Sequence, residues 1–394
     1  MTGPLTGIRV IDFGRFIAAP YCAMLFADMG ADVIRVERRG GGEDRYLGPV
    51  TGSGEGALFL NLNRNKRGVT LDPAHPMAEE IVRRLVRNAD IIIANLPVDA
   101  LKKLRLDYES LRAMKEDIIM VMASAFGPDG PYANRVGFDS VAQAMSGAMS
   151  LTGFPGVPVR SAVSFVDYGT ALHAAFGAMV ALYERQRSGR GQVIDVSLLT
   201  TGLTFMQPLL IERAVADIRR RQQGNASFHA APADVYRTRD GWIIAQAIGN
   251  PMFARWARLV GREDLIGDPR FADDISRADH YEVINQAMQE WCSGRARQEV
   301  ITELQRARIP CGPVYNLDEA LADPQVNARE LFREVEYPGC LRPIPLSATP
   351  VRLSATPGGI SRRAPAVGEH TEEVLAEVGF TAEEIAAFRK AGAI

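Results

Sequence analysis

Residues 7–37 read GIRVIDFGRFIAAPYCAMLFADMGADVIRVE. The first seven, GIRVIDF, form an apolar run rich in β-branched side chains, which reads as a strand. Residues 20–29, PYCAMLFADM, carry apolar positions at helical spacing, and Gly30 stops them. Residues 31–37, ADVIRVE, read as a second strand. A strand, helix and strand within about 30 residues is the signature of a parallel pair joined by a crossover helix. Working outward, the unit recurs: a helix over 77–87, a strand over 90–95 (DIIIAN), a short helix over 106–114 and a strand over 118–125 (IIMVMASA). Residues 168–183 read as a long helix of small residues, and 192–198 (QVIDVSL) as a further strand. Continuous apolar runs of this kind are how buried parallel strands look in sequence. The fold class is therefore α/β.

At 394 residues the chain is long enough for two or three domains. Composition shifts at an arginine-rich stretch, 213–223, which reads as an exposed connector. Beyond it, short strands (ADVYRT, GWIIAQA) precede helices near 253–260, 281–292 and 297–306, a candidate second domain. From Cys311 the chain is Pro-rich and irregular until a last helix over 381–391. The net charge of −2 gives no support to a broad nucleic-acid surface. No apolar run approaches the ~20 residues of a membrane span, and residues 1–13 lack the pattern of a secretory leader, so a cytoplasmic protein is expected. The four cysteines form no CxxC pair and the five histidines no HExxH, so neither a disulfide framework nor a metal site is expected.

The first strand–helix junction, Asp12-Phe13-Gly14-Arg15-Phe16-Ile17-Ala18-Ala19-Pro20, lacks GxGxxG, which removes a dinucleotide reading. Ala18, Ala19 and Pro20 read either as a tight helix start or as a place where a ligand nears the backbone. Arg38 and Arg39, followed by three glycines, stand at the carboxyl end of the second strand. Ligands of open α/β sheets bind at that edge, and the guanidinium fork suits phosphate; the alternative is a solvated turn. The basic run 63–68 (NRNKRG) reads as a second phosphate contact or as plain surface. Asp167 directly precedes the helix expected from Tyr168, so it is either an N-cap or a carboxylate nucleophile. His173 reads as a satisfied buried group and Cys22 as a core residue.

These segments together resemble a known family, the family III CoA-transferases, or CaiB/BaiF family. The resemblance is carried by residues 4–44, by LNRNKRGVTLD (62–72), GFDSVAQAMSG (137–147), residues 164–198 around SFVDYG, and GDPRFADDISR (267–277). It continues in IPCGPVYNLDEALADPQV (309–326) and AVGEHTEEVLAEVGF (366–380). It implies a Rossmann-like large domain built from residues 1–224 and 321–394, a smaller α+β domain at 225–320, and an interlocked homodimer. It also implies catalysis by Asp167 through an aspartyl anhydride and an aspartyl-CoA thioester. CoA contacts carry over to Ile17, Ala18, Arg38, Leu71, Asp72, Pro73, Ala74, Asn95, Leu96, Pro97 and Lys103, with Gly137, Phe138 and Asp139 near the nucleophile. Coenzyme A and acyl-CoA are then substrates, with no permanently bound cofactor.

Two departures bear on the substrate. Members that transfer formyl-CoA have a catalytic glutamine where Ile17 stands and a glycine-rich shielding loop, whereas Ala247-Ile248-Gly249-Asn250 has no glycine run. Family habit then points to a short dicarboxylate, with succinyl-CoA as donor. The acceptors expected are C4–C5 acids such as mesaconate, itaconate or citramalate. Arg15, Arg45 and Arg160 are candidates for a distal carboxylate, or are surface charges. Two alternatives remain. α-Methylacyl-CoA racemases need a histidine in a GHD-like motif, where this chain has Phe138. A non-catalytic CoA-binding module would keep the fold without exchange.

Overall fold

The computed structural model describes residues 3–394. Met1 and Thr2, the start of the segment read for a leader, lie outside the described residues. The chain divides into two compact units: Met1–Ser146, Ser161–Gln207 and Asn327–Ile394 in one, Gly147–Arg160 and Pro208–Val326 in the other. The limits expected at 224 and 320 are displaced. The helix Leu198–Ala216 is continuous, and the division falls inside it at Pro208, a residue with no N–H to give the helical ladder. Residues 213–216, expected in a connector, are the last turn of this helix.

In the first unit six strands form one parallel sheet: β1 (Arg9–Asp12), β2 (Asp32–Glu37), β3 (Arg67–Thr70), β4 (Ile91–Ala94), β5 (Ile119–Ser124) and β6 (Val193–Ser197). Their order is β3-β2-β1-β4-β5-β6, with every neighbouring pair parallel. The chain thus leaves β1 in one direction and returns to its other side as β4, which creates a switch point between the two. Side chains alternate across the sheet. Val10, Val33, Ile91, Ile93 and Ile119 point to the face covered by helices Ala18–Asp28 and Phe165–Ser188. Ile11, Ile34, Ile92 and Met120 point to the other, where Ile81, Val82 and Leu85 of helix Ala78–Arg87 pack. The end of the chain completes that second layer with Val374, Leu375, Ile385 and Phe388. Its last helix, Ala382–Ala391, starts in a capping box between Thr381 and Glu384.

The helix Phe165–Ser188 sets Ala171, Ala174, Ala178 and Ala181 against the sheet, where small side chains permit close approach. By length and composition it is apolar enough to cross a membrane, with a mean hydropathy of 1.3. This corrects the reading that no stretch reaches that length. Scattered Thr170 and His173 break the run in sequence but not the mean. His173 itself is exposed rather than buried, its Nδ1 3.3 Å from Thr201 Oγ1.

The basic run 63–67 is neither surface nor a phosphate contact: every residue in it is buried. Arg64 pairs with Asp28 at 2.7 Å, Lys66 with Asp12 at 2.7 Å and Arg67 with Asp32 at 2.7 Å. Polarity misleads here because each cation is matched by an acid from β1, β2 or the first helix.

In the second unit β7 (Ala233–Thr238), β8 (Gly241–Gln246) and β9 (Cys311–Pro313) form an antiparallel sheet. Ile243 and Ala245 turn inward to a core with Tyr236, Trp256, Met288 and Leu304, while Trp242 and Ile244 face outward.

Candidate active site

The site starts where β1 ends. Asp12 is fully buried and accepts the Gly14 N–H at 2.7 Å on one oxygen and Lys66 Nζ at 2.7 Å on the other. Lys66 gives its remaining donors to Pro20 O and Asn63 Oδ1, both at 2.9 Å. Burial lowers its pKa, and the Asp12 charge opposes that shift. Gly14 has no room for a side chain, since a Cβ there would stand 2.5 Å from the Cβ of Ala19.

Gly14, Arg15 and Phe16 are held through their backbone groups. Arg35, 1% exposed, donates to Gly14 O at 3.2 Å and grips Asp44 at 2.8 and 3.0 Å. Asn95, just past β4, accepts the Arg15 N–H at 2.9 Å and donates to Arg15 O at 2.8 Å. Asp44 accepts the Phe16 N–H at 3.2 Å. Phe16 sits at φ 62°, a left-handed conformation that costs an L-residue about 1–2 kcal/mol. Its ring meets that of Phe138 edge to face, centroids 5.2 Å apart.

This loop forms one wall of a cleft of about 370 Å³. Its other walls are the chain after β4 (Asn95, Leu96, Pro97), the end of β5 into Phe126, the loop through Arg135, Gly137 and Phe138, and Asp167. The cleft therefore opens at the carboxyl edge of the sheet, at its switch point. Ile17 and Ala18 line it as well. A smaller pocket of about 60 Å³ shares Arg15 and Leu96 with it and adds Arg38, Leu71 and Pro73. Four expected contacts, Asp72, Ala74, Lys103 and Asp139, line neither. Asp72 caps its own turn, accepting the Ala74 N–H at 3.0 Å, and Lys103 is exposed at the end of a short helix.

Asp167 is not the N-cap. The helix begins at Phe165, three residues earlier than the sequence suggests, so Asp167 is its third residue. Ser164 stands at the cap with no side-chain bond. The cap comes instead from Asp139, whose Oδ1 accepts the N–H groups of Val166 at 2.9 Å and Asp167 at 3.0 Å. Asp139 is 6% exposed, and its other oxygen accepts the Gln143 amide. It supports the site from behind rather than lining it. The Asp167 carboxylate is half-buried at the cleft wall and, among the described residues, accepts no hydrogen bond. Burial, reinforced by the Asp139 charge, raises its pKa to about 7.

Of the arginines considered for a distal carboxylate, Arg45 is fully buried against Glu37 and is excluded. Arg160 is exposed and not among the cleft residues, and Arg15 lines the cleft but pairs with Glu43 at 3.0 Å. Sequence reasoning missed Arg135. It lines the cleft, rests 4.0 Å from the Tyr132 ring centroid and has no carboxylate partner among the described residues. Phe16, Asp44 and Arg35 were also missed, because Asp44 and Arg35 reach the loop only through the fold.

Comparison with known proteins agrees with this geometry. The chain is 37% identical to the succinate–glutarate CoA-transferase of Agrobacterium fabrum over 390 residues, 95% of this chain and 96% of that one. It is 35% identical to the succinyl-CoA–D-citramalate CoA-transferase of Chloroflexus aurantiacus over 393 residues, 97% and 96% of the two chains. A crystal structure of a CaiB/BaiF family protein from Brucella suis superposes with a TM-score of 0.85 at 32% identity, covering 96% of this chain and all of that one. The model of CoA-transferase family III matches residues 5–371. On a fold, a switch-point cleft and relatives that agree along nearly the whole length, this chain belongs to CoA-transferase family III and is a CoA-transferase.

Proposed function

We propose that this enzyme moves CoA from a short dicarboxylyl thioester, succinyl-CoA foremost, to a small carboxylic acid, with Asp167 as the acyl carrier. One observation carries the reading: a half-buried carboxylate stands at the cleft wall with no hydrogen bond from the described residues to quench it. Its raised pKa makes the ionised form a stronger nucleophile than an ordinary aspartate. The ionised oxygen attacks the thioester carbon, and CoA leaves as thiolate, giving an acyl-aspartyl anhydride. The thiolate attacks the Asp167 carbonyl carbon, releases the donor acid as carboxylate and leaves an aspartyl-CoA thioester. The acceptor carboxylate then runs the two steps in reverse. Each step exchanges one anion for another, so no proton need move.

Ile17, Ala18, Asn95, Leu96, Pro97, Gly137 and Phe138 then surround the thioester arm, and Arg38, Leu71 and Pro73 take the far end of CoA. The names of the relatives and the charge of Arg135, which has no carboxylate partner among the described residues, both favour a dicarboxylyl group. A racemase reading gains nothing, because Phe138 carries no proton. We further propose that a second copy covers the apolar stripe Leu172, Phe176 and Tyr183 of helix Phe165–Ser188, which are 51, 72 and 65% exposed.

Incubation with succinyl-CoA and hydroxylamine, followed by peptide mass spectrometry, tests the mechanism. A hydroxamate at Asp167, absent from Asp167→Asn, is expected. Undiminished exchange of CoA between succinyl-CoA and glutarate in Asp167→Asn would overturn it. A screen of donors against small acids identifies the pair.

A further inference from the structure

An anhydride is spent by a single water: it opens to two carboxylic acids, and with the thiol already released the net result is thioester hydrolysis. The side chains that stand between Asp167 and water therefore decide whether the enzyme transfers or wastes its substrate. Three aromatic rings, Phe16, Phe126 and Phe138, share the cleft with Asp167, and the placement of Phe16 and Phe138 is unusual. Phe138 is 59% exposed, an open ring beside the residue that caps the Asp167 helix. Phe16 meets it edge to face at 5.2 Å from a backbone at φ 62°. Left to itself, a phenylalanine leaves that conformation. Here it cannot, because Asp44 holds its N–H while Asn95 holds both backbone groups of Arg15. Arg35, buried behind them, ties Asp44 to Gly14 O. Three polar side chains and a strained residue are thus committed to placing one ring.

We propose that Phe16 and Phe138 form the water-excluding wall of the Asp167 site, and that Asp44 and Asn95 are positioning residues that hold Phe16 in it. The inference rests on Asp167 as acyl carrier.

The test is a partition ratio rather than a rate: free thiol plus free acid against transferred thioester, with succinyl-CoA as donor and glutarate as acceptor. Phe16→Gly is the key variant, because glycine adopts the positive φ without strain and only the ring is lost. Phe16→Gly and Phe138→Ala are expected to raise hydrolysis relative to transfer by about tenfold or more. Phe138→Leu restores most of the wild-type ratio. Asp44→Asn raises the ratio in the same direction, which a purely structural role would not do. In water enriched in ¹⁸O, label in the Asp167 carboxylate shows that the wasted species was the enzyme-bound intermediate. An unchanged ratio in both Phe16→Gly and Phe138→Ala overturns the wall, whatever the overall rate. Transfer persisting in Asp167→Asn overturns the acyl-carrier reading instead, so the two failures are distinguishable.

Discussion

Asp139 Oδ1 accepts the backbone N–H of Asp167 at 3.0 Å. One carboxylate thereby does two things to the other. It fixes the first turn of the helix that carries Asp167, and it sets a negative charge close to the Asp167 side chain. The first turn of a helix ordinarily favours an anion. Here burial, to which the charge of the Asp139 cap adds, holds Asp167 near pKa 7 rather than in the usual carboxylate range.

The first prediction concerns pH. Transfer requires the ionised carboxylate, so kcat/KM rises with pH and levels above about 7. Stability moves the other way. A folded-state pKa above the unfolded value means that the fold favours the neutral acid, so stability is fullest below the unfolded carboxylate range and falls as pH rises toward about 7. Melting curves of wild type and Asp167→Asn should coincide near pH 4, and the variant should melt higher at pH 8.

Replacing Asp139 separates cap from charge. Asp139→Asn keeps an oxygen for the two N–H groups and removes the charge. The acidic limb of kcat/KM should then shift to lower pH, by less than the full displacement because burial remains. Asp139→Ala removes the cap as well and should cost about 1–2 kcal/mol in urea unfolding.

Lys66 and Asp12 are both fully buried at 2.7 Å. Lys66→Met leaves Asp12 uncompensated and should destabilise the protein by about 3–5 kcal/mol. Adding Asp12→Asn should recover part of that loss, measurable as a double-mutant cycle.

Arg135→Gln addresses the distal carboxylate. It should lower kcat/KM for succinyl-CoA at least ~10-fold and leave butyryl-CoA, which lacks that carboxylate, unchanged. Equal losses on both donors would assign Arg135 to the phosphates of CoA.

The sheet was legible because buried parallel strands are apolar runs: IRVID, VIRV, DIIIA and IIMVMA each lie over a strand. The second unit was legible for the opposite reason, as alternation in GWIIAQ. What failed was the reading of charge. Arg64 and Lys66 look like surface because their partners, Asp28 and Asp12, are 36 and 54 residues away. Asp167 looks like a cap because the true cap, Asp139, is supplied from 28 residues upstream. Both are tertiary pairings, and a local pattern carries no trace of them. Gly137, Phe138 and Asp139, grouped in sequence as one contact, divide in space: the first two line the cleft and the third supports it from behind.

The two rings at the cleft differ in how freely they can vary. Phe16 is held at a positive φ by Asp44 and by Asn95 on its neighbour, a conformation that suits few residues besides glycine. Phe138 stands on extended backbone at φ −116°. Directed evolution toward bulkier or smaller acyl groups should therefore accumulate its changes at Phe138 first, with Phe16 surviving as the fixed jaw against which new side chains are selected.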